Sequence, residues 1–378
     1  MQEPSAPLVP TPVSLSELTT LRLGGPARRL VQARSEAELV EAVRAADVAG
    51  EPLLVLAGGS NVVIADDGWP GAVVHVLTRG VEHVTRDGVV VVRAQAGEPW
   101  DPLVAQCVAA GLAGLECLSG IPGSVGATPI QNVGAYGQEV ADCIESVRAL
   151  DRESGEIREL SREECEFAYR SSRFRGSRRW VVLRVDFAMP RSPDSMPIRY
   201  GELARALGVE PGGTAPLEAV REQVLTLRRG KGMVVDAADP ESVSAGSFFT
   251  NPILSPECFA ALCARVVERL GEGERPPGYP EPDGRLKTSA AWLIERAGFA
   301  RGYGEGPAGI SGKHTLALVN RGGATTAQLL EVAREIAAGV RDAFGVELRP
   351  EPIFVGHAWD GPPEPAGDEP PAREPSGS

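Results

Sequence analysis

The stretch Gly111–Val140, GLAGLECLSGIPGSVGATPIQNVGAYGQEV, constrains this chain more than any other. Seven of its thirty residues are glycine, its only charged side chains are Glu116 and Glu139, and no Lys or Arg occurs between Arg93 and Arg148. Glycine serves where φ is positive or where something must approach the main chain closely. A surface linker would be more polar and would not carry Leu112, Leu115, Leu118, Ile121, Val125, Ile130 and Val133. The stretch therefore reads as buried, irregular backbone wrapped around something. Buried amides need partners, and an acceptor-rich ligand such as a phosphorylated cofactor would supply them. A cluster of Gly-rich turns inside an ordinary core is the other reading of the same spacing. No apolar run reaches the roughly 20 residues of a membrane span, so membrane insertion is excluded.

A second neutral, Gly-rich loop lies upstream. The apolar run Leu53–Ala57 reads as a buried strand and passes directly into Gly58-Gly59-Ser60-Asn61, followed by a further strand at Val62–Ile64. Because a strand follows, the turn is neither a Rossmann fingerprint nor a Walker loop, although its backbone can form an anion-binding nest. Two such loops in one region suit a dinucleotide lying extended between subdomains.

The rest of the pattern is mixed α and β. Ser35 opens a helix with Glu38 completing a capping box and Leu39, Val43 and Ala46 on its apolar face. Strands are expected at 29–33, 72–77, 81–84, 89–96, 144–150, 157–160, 180–189 and 315–320. Helices are expected at 102–110, 216–229, 256–270, 289–297 and 326–344. The composition predicts a disordered segment at 1–13, a linker at 190–197 and a disordered Pro/Glu-rich tail at 360–378; the domain bounds taken are 14–80 and 81–192 for two N-terminal subdomains and 198–357 for a C-terminal domain.

The net charge of −13 argues against nucleic acid as a partner, since phosphate backbones call for a basic face. Six cysteines without a CxxC pair, and four histidines not spaced near them, argue against a zinc site, and no metal is expected. The N-terminus MQEPSAPLVPTP lacks the basic and apolar regions of a signal peptide, so a cytoplasmic protein with reduced thiols is expected.

Three places could carry chemistry. Ser247, in SAGSFFTNP, could be a nucleophile, a proton donor or a hydrogen-bonding residue, but no GxSxG elbow surrounds it; it could equally satisfy its own turn. Arg170, in YRSSRF, suits bidentate recognition of a carboxylate or phosphate, or belongs to an exposed basic turn. Glu351, fixed between Pro350 and Pro352 beside Ile353-Phe354-Val355, could have a raised pKa and act as an acid, or sit on a surface turn. Tyr279, on the Pro-rich loop PPGYPEP, more simply packs.

LAGGSNVVI (56–64), GLECLSGIPGSVGATPIQNVGAYGQEV (114–140), YRSSRF (169–174), SAGSFFTNP (244–252) and RPEPIFVG (349–356) occur in that order. Together they resemble the UDP-N-acetylenolpyruvoylglucosamine reductases, flavoenzymes of peptidoglycan precursor synthesis. The resemblance spans Leu18 to Gly356. It implies an α+β chain: an FAD-binding fold of the vanillyl-alcohol-oxidase/PCMH type in two subdomains, plus a C-terminal α+β substrate domain. It implies non-covalent FAD, with NADPH as co-substrate and a UDP-sugar as substrate. NADPH reduces the flavin and leaves; the sugar nucleotide then takes hydride at the enolpyruvyl methylene carbon and a proton at the neighbouring carbon. A monomer is expected.

Carried onto this chain, Ser247 matches the proton donor. Arg170 and Glu351 match the pair that polarises the substrate carboxylate, a place for preorganised charge stabilisation. Tyr200, Lys231, Asn251 and Tyr279 match substrate-contacting residues, Tyr279 being the loop tyrosine of the longer form of the enzyme. Cofactor contacts are expected at Gly58, Gly59, Ser60, Asn61, Gly120, Ile121, Pro122, Gly123, Gly126, Ala127, Gln131, Asn132, Gly134, Ala135 and Tyr136. Thr250 departs from the lysine common at its place, and the tail has no counterpart in these motifs. The alternatives are another flavin oxidase or dehydrogenase of the same fold, which would reoxidise without the enolpyruvyl substrate, and a non-catalytic nucleotide-binding module, which would be colourless.

Overall fold

The computed structural model describes residues 13–359. The expected disorder before Val13 and after Trp359 lies outside the described residues. In the first region β1 (Ala27–Ala33) leads through α1 (Glu36–Val48) to β2 (Leu53–Leu56), with β3 (Val62–Ile64) and β4 (Trp69–Val76) following. β4 sits between β1 and β2, parallel to both, the arrangement that a helical crossover imposes. Helix α1 buries Leu39, Val40, Val43 and Ala46. Its cap differs from the expected box in one respect. The Ser35 hydroxyl accepts from Glu38 N, but the Glu38 carboxylate accepts from Arg34 N at 2.7 Å, one residue upstream of the cap.

The second region is an antiparallel sheet in the order β10-β9-β11-β6-β5. Its strands are β5 (Val81–Arg86), β6 (Val89–Gln95), β9 (Ile144–Asp151), β10 (Ile157–Ser161) and β11 (Trp180–Pro190), with α2 (Trp100–Ala109) between β6 and the Gly-rich stretch. That stretch is mostly turns and single-turn helices, with one short hairpin of β7 (Gly134–Ala135) and β8 (Gln138–Glu139). One continuous core joins α1, α2, the sheet and the stretch itself through Leu112, Leu115, Leu118 and Val125.

Helices α3 (Gly201–Leu207) and α4 (Leu217–Gly230) follow. The short α3 had no signal in the sequence pattern. Both helices share a small core with Cys117 and Ile198, set against the Gly-rich stretch. The later region carries β12 (Ser244–Ser247), β13 (Ile253–Leu254), α5 (Pro256–Leu270), β14 (Tyr279–Pro280), β15 (Leu286–Lys287), α6 (Ala290–Arg296), β16 (Ala308–Ile310), β17 (Ala317–Asn320), α7 (Thr326–Phe344) and β18 (Ile353–Val355). Its core includes Phe248, Phe249, Leu293, Ile310, Ile336 and Phe344, and it also takes in Leu21, Leu23 and Val63 from the first region.

Two joints tie the ends of the chain together. β18 pairs in parallel with β3, Ile353 opposite Val62. At the start of α7 the Asp66 carboxylate accepts from Thr326 N at 2.7 Å and Ala327 N at 3.0 Å, a charge-assisted contact that the helix N-terminus favours.

Glu116, one of the two charges in the Gly-rich stretch, is fully buried. Its carboxylate accepts from Gly114 N at 2.6 Å, Gln138 Nε2 at 2.8 Å and Met196 N at 2.8 Å. It thereby pins the start of the stretch, the hairpin and segment 190–197 to one another. A buried donor left unsatisfied costs about 1–3 kcal/mol. Glu116→Ala, which orphans three, is expected to destabilise the chain by about 3 kcal/mol or more, read as a lowered urea midpoint. An unchanged midpoint would mean that these donors find water.

Candidate active site

The two Gly-rich loops meet backbone to backbone. A Cβ on Gly58 would lie 2.6 Å from Gly123 Cα, and one on Gly123, at φ +115°, would lie 2.6 Å from Ser60 Oγ. Ordinary contact between carbon atoms is about 3.5–4.0 Å, so both positions require glycine. Hydrogen bonds fix the same contact: Ser60 Oγ donates to Pro122 O at 3.0 Å, and Asn61 Nδ2 donates to Gln131 Oε1 at 3.1 Å.

Beside this joint runs a cleft of about 1010 Å³, at the upper end of the range for small-molecule pockets. Its lining comes from the Leu53–Val62 segment and parts of the Gly-rich stretch, among them Ile121, Pro122, Ser124 and Gln131, and from the segments that carry Ser244–Ser247 and Leu348–His357. Arg170, Arg175 and Arg228 also line it. The backbone amides of Gly58, Gly59, Ser60 and Asn61 donate to no group among the described residues. The buried Ser124 hydroxyl and the buried Arg228 Nε likewise have no partner. Arg228 is 8% exposed; burial lowers its pKa, and among the described residues its Nη2 donates to the Met233 carbonyl, at 2.8 Å. Four free amides, a free hydroxyl and an unpaired buried cation converge on a neutral wall, and a diphosphate would satisfy them. The apolar surface of Leu53–Leu56, Ile121 and Ile353 fits the flat rings of a dinucleotide. These residues therefore fit FAD.

Of the expected cofactor contacts, Gly58, Gly59, Ser60, Asn61, Ile121, Pro122, Gly126, Ala127, Gln131 and Gly134 line the cleft. Gly120, Gly123, Asn132, Ala135 and Tyr136 are not on its walls. Gly120 faces Leu225 and Val234, Gly123 makes the joint itself, and Asn132 is buried with its Nδ2 on Glu139 Oε2 at 2.7 Å. Sequence reasoning missed Ser124 and Arg228. Arg228 was visible next to Lys231, but nothing in its spacing showed that α4 would bury it.

At the C-terminal wall, Arg170 Nε lies 3.0 Å from Glu351 Oε1, and its Nη2 donates to Gly134 O at 2.8 Å. The Arg170 guanidinium stacks on Tyr169 at 5.2 Å, and Lys287 Nζ lies over the same ring at 4.9 Å. The Glu351 side chain keeps 21% exposure toward the cleft. Burial raises its carboxyl above the usual range, opposed by the Arg170 charge. Glu351 N donates to Phe248 O at 2.8 Å and Gln131 Nε2 donates to Glu351 O at 3.0 Å. The Ser247 segment, Glu351 and the Gly-rich stretch are thus locked into one frame.

Ser247 ends β12 opposite Ala317 and lines the cleft. Its hydroxyl has no hydrogen-bond partner among the described residues; Ser244 Oγ is the one that accepts from a turn amide, Gly246 N at 3.2 Å. The simple turn-satisfying reading therefore belongs to Ser244.

Tyr200, Lys231, Asn251 and Tyr279 are not on the cleft walls. Tyr200 meets Tyr136 edge to face at 5.4 Å, and Lys231 lies over the Tyr136 ring at 5.7 Å and pairs with Glu202 at 2.8 Å. Burial, with help from Glu202 and Tyr279, raises the Tyr200 phenol. Asn251 Oδ1 accepts from Ala290 N at 3.0 Å at the start of α6. Tyr279 is 57% exposed and pairs with Lys287 in a short antiparallel strand. Thr250 hydrogen-bonds the Arg349 carbonyl.

Comparison with known proteins identifies the two halves. Residues 27–161 match the FAD binding domain family, and residues 239–355 match the C-terminal domain of UDP-N-acetylenolpyruvoylglucosamine reductase. The chain is 57% identical over 345 residues to a UDP-N-acetylenolpyruvoylglucosamine reductase of Thermobifida fusca, covering 91% of this chain and 97% of the relative. It belongs to the UDP-N-acetylenolpyruvoylglucosamine reductase family. A member from Streptomyces coelicolor is 58% identical over 346 residues, covering 91% of this chain and 89% of the relative. Among solved structures, the reductase of this family from Thermus caldophilus superposes with a TM-score of 0.61 at 26% identity, covering 91% of this chain and 98% of that one. The expected α+β fold with a flavin-binding region and a family-specific C-terminal domain is the fold observed.

The Gly58–Gly123 joint makes a direct test of the cofactor site. Gly58→Ala forces the loops apart, and overpacking costs about 1–3 kcal/mol. We expect FAD affinity, measured by fluorescence titration of the apoprotein, to fall about tenfold or more. Undiminished affinity would show that the loops do not set the cofactor site.

Proposed function

We infer that this protein is an FAD-dependent reductase that uses NADPH to convert UDP-N-acetylenolpyruvoylglucosamine to UDP-N-acetylmuramate, a step of peptidoglycan precursor synthesis. The observation that carries the catalytic reading is the Arg170–Glu351 pair on one cleft wall, tied through Glu351 N and Phe248 O to the strand end that presents Ser247. When bound, the flavin supplies hydride chemistry, accepting from NADPH and donating to the sugar nucleotide, the two taking the cleft in turn. Gly58–Asn61, Ser124 and Arg228 hold its diphosphate.

The chain's own residues manage charge and the proton. Hydride added to the methylene carbon leaves the electron pair of the double bond on the neighbouring carbon, delocalised into the carboxylate. Arg170 faces that developing charge in a partly dry site, where a fixed cation is worth more than in water. Burial pushes the Glu351 carboxyl upward against the pull of Arg170, and a second carboxylate, that of the substrate, pushes it further toward sharing a proton with its neighbour. Ser247 Oγ, free of competing acceptors, delivers its proton to the neighbouring carbon. Tyr200, Lys231, Asn251 and Tyr279 are the residues we assign to the nucleotide end of the substrate; Lys287 on Tyr169 holds the Tyr279 hairpin next to Arg170.

We place the reaction in the cytoplasm, where nucleotide-activated sugars and NADPH are found. Among the described residues no helix is long and apolar enough to cross a membrane, and all six cysteines are free thiols. Both walls of the cleft come from one chain, which supports action as a monomer.

Stopped-flow absorbance separates the two halves of the reaction. NADPH is expected to bleach the bound flavin, and the colour is expected to return rapidly without oxygen only on adding the enolpyruvyl sugar nucleotide. Anaerobic reoxidation indifferent to that substrate would sink the assignment. In Ser247→Ala, bleaching by NADPH should proceed as in wild type while substrate-driven reoxidation falls by about 10²–10⁴, the range for general acid catalysis. Equal loss in both halves would make Ser247 a structural residue.

A further inference from the structure

Arg175 lies one residue beyond the YRSSRF motif and carries no assigned role. It stands beside a strained position, since Arg170 has φ +52°. A non-glycine residue in the left-handed region costs about 1–3 kcal/mol and persists only where its surroundings hold it. The turn around it is closed by Ala168 N on Ser171 O at 3.0 Å and Ser171 N on Ala168 O at 3.1 Å. No backbone amide among the described residues reaches the Arg170 carbonyl; Arg175 Nη1 donates to it at 2.8 Å. The root of Arg175 is itself anchored. Arg175 N donates to Ser172 O at 3.1 Å, and the Ser172 hydroxyl donates to Ile130 O at 2.8 Å in the Gly-rich stretch. Arg175 also lines the cleft. Against the burial that raises Glu351, its charge acts in the same direction as that of Arg170.

We propose that Arg175 is a positioning residue: by binding the Arg170 carbonyl it holds residue 170 left-handed and so aims the Arg170 guanidinium at Glu351 and at the carboxylate end of the substrate. The inference rests on the role given to Arg170 and Glu351 above. Without the Arg175 donor, residue 170 relaxes to negative φ, and its guanidinium leaves both Glu351 Oε1 and Gly134 O. Misplacement by about 1 Å at a reacting centre costs about 10²-fold.

The test compares Arg175→Met, Arg175→Gln and Arg170→Met in the FAD-loaded protein. In Arg175→Met, substrate-driven reoxidation is expected to fall about 10²-fold. NADPH reduction and FAD retention should stay at the wild-type level. A crystal structure should show residue 170 at negative φ. Arg175→Gln keeps a donor for the carbonyl and is expected to retain most of the rate; it carries the test alone if the Met variant does not fold. Wild-type reoxidation in Arg175→Met, a Gln variant in which reoxidation fails outright, or parallel loss of FAD retention and both half-reactions would overturn the proposal. If Arg170→Met itself reoxidises normally, the reading of Arg170 fails and this inference with it.

Discussion

The contact between Gly58 and Gly123 is the constraint on which the rest of this structure depends. Two main chains without side chains press together there, and everything that faces the cleft is referred to that point. On one side four amides have no partner among the described residues; on the other, the turn continues into Gln131 and Gly134, which hold Glu351 and Arg170. The Gly-rich joint and the Arg170–Glu351 pair thus share one rigid origin. A single methyl group at the joint would disturb both.

The electrostatics follow a division of labour. Residues 94–147 contain no basic side chain, so the cofactor wall offers dipoles, which bind anions without demanding a fixed counter-charge. Cations arrive from elsewhere: Arg228 from α4, Arg170 and Arg175 from the loop before β11. Arg228 enters almost fully buried, with the Asp101 charge acting on it but no ion pair among the described residues, an expensive state unless an anion answers it. Arg170 does have a partner, and the same burial that makes the pair costly keeps Glu351 protonatable. The acidic surface of the chain, at −13 overall, does not govern these local fields.

Much of this was legible in the residues because local chemistry declares itself. A strand ending in Gly-Gly-Ser-Asn without a following helix can form an anion nest, and Ser35 marks the start of α1 where the structure has it. What was hidden depended on distant packing. Glu38 reached past its cap to Arg34; α3 is too short to show a period; Arg228 resembled any helix-terminal arginine until α4 was set against Gly120. Ser244 and Ser247 are three residues apart in one glycine-containing run, and only the fold distinguishes the serine that binds its turn from the one left facing the cleft. Glu116 is the clearest case. A lone acid in an apolar stretch invites a functional reading, and the structure gives it three backbone and side-chain donors to organise instead.

The parallel pairing of β18 with β3 has a consequence for the order of events during synthesis. Val62 and Ile353 come from opposite ends of the chain, and the strand that follows the Gly-Gly-Ser-Asn loop lacks this neighbour until almost the last described residue has been made. Contacts of such sequence separation form late and slowly. The first two regions can gather their own core early, while the cleft acquires its second wall only when the C-terminal strand returns. The wall that carries Glu351 is therefore held to the Gly-rich side by a pairing of high sequence separation, so its placement depends on a long-range contact and not on local structure.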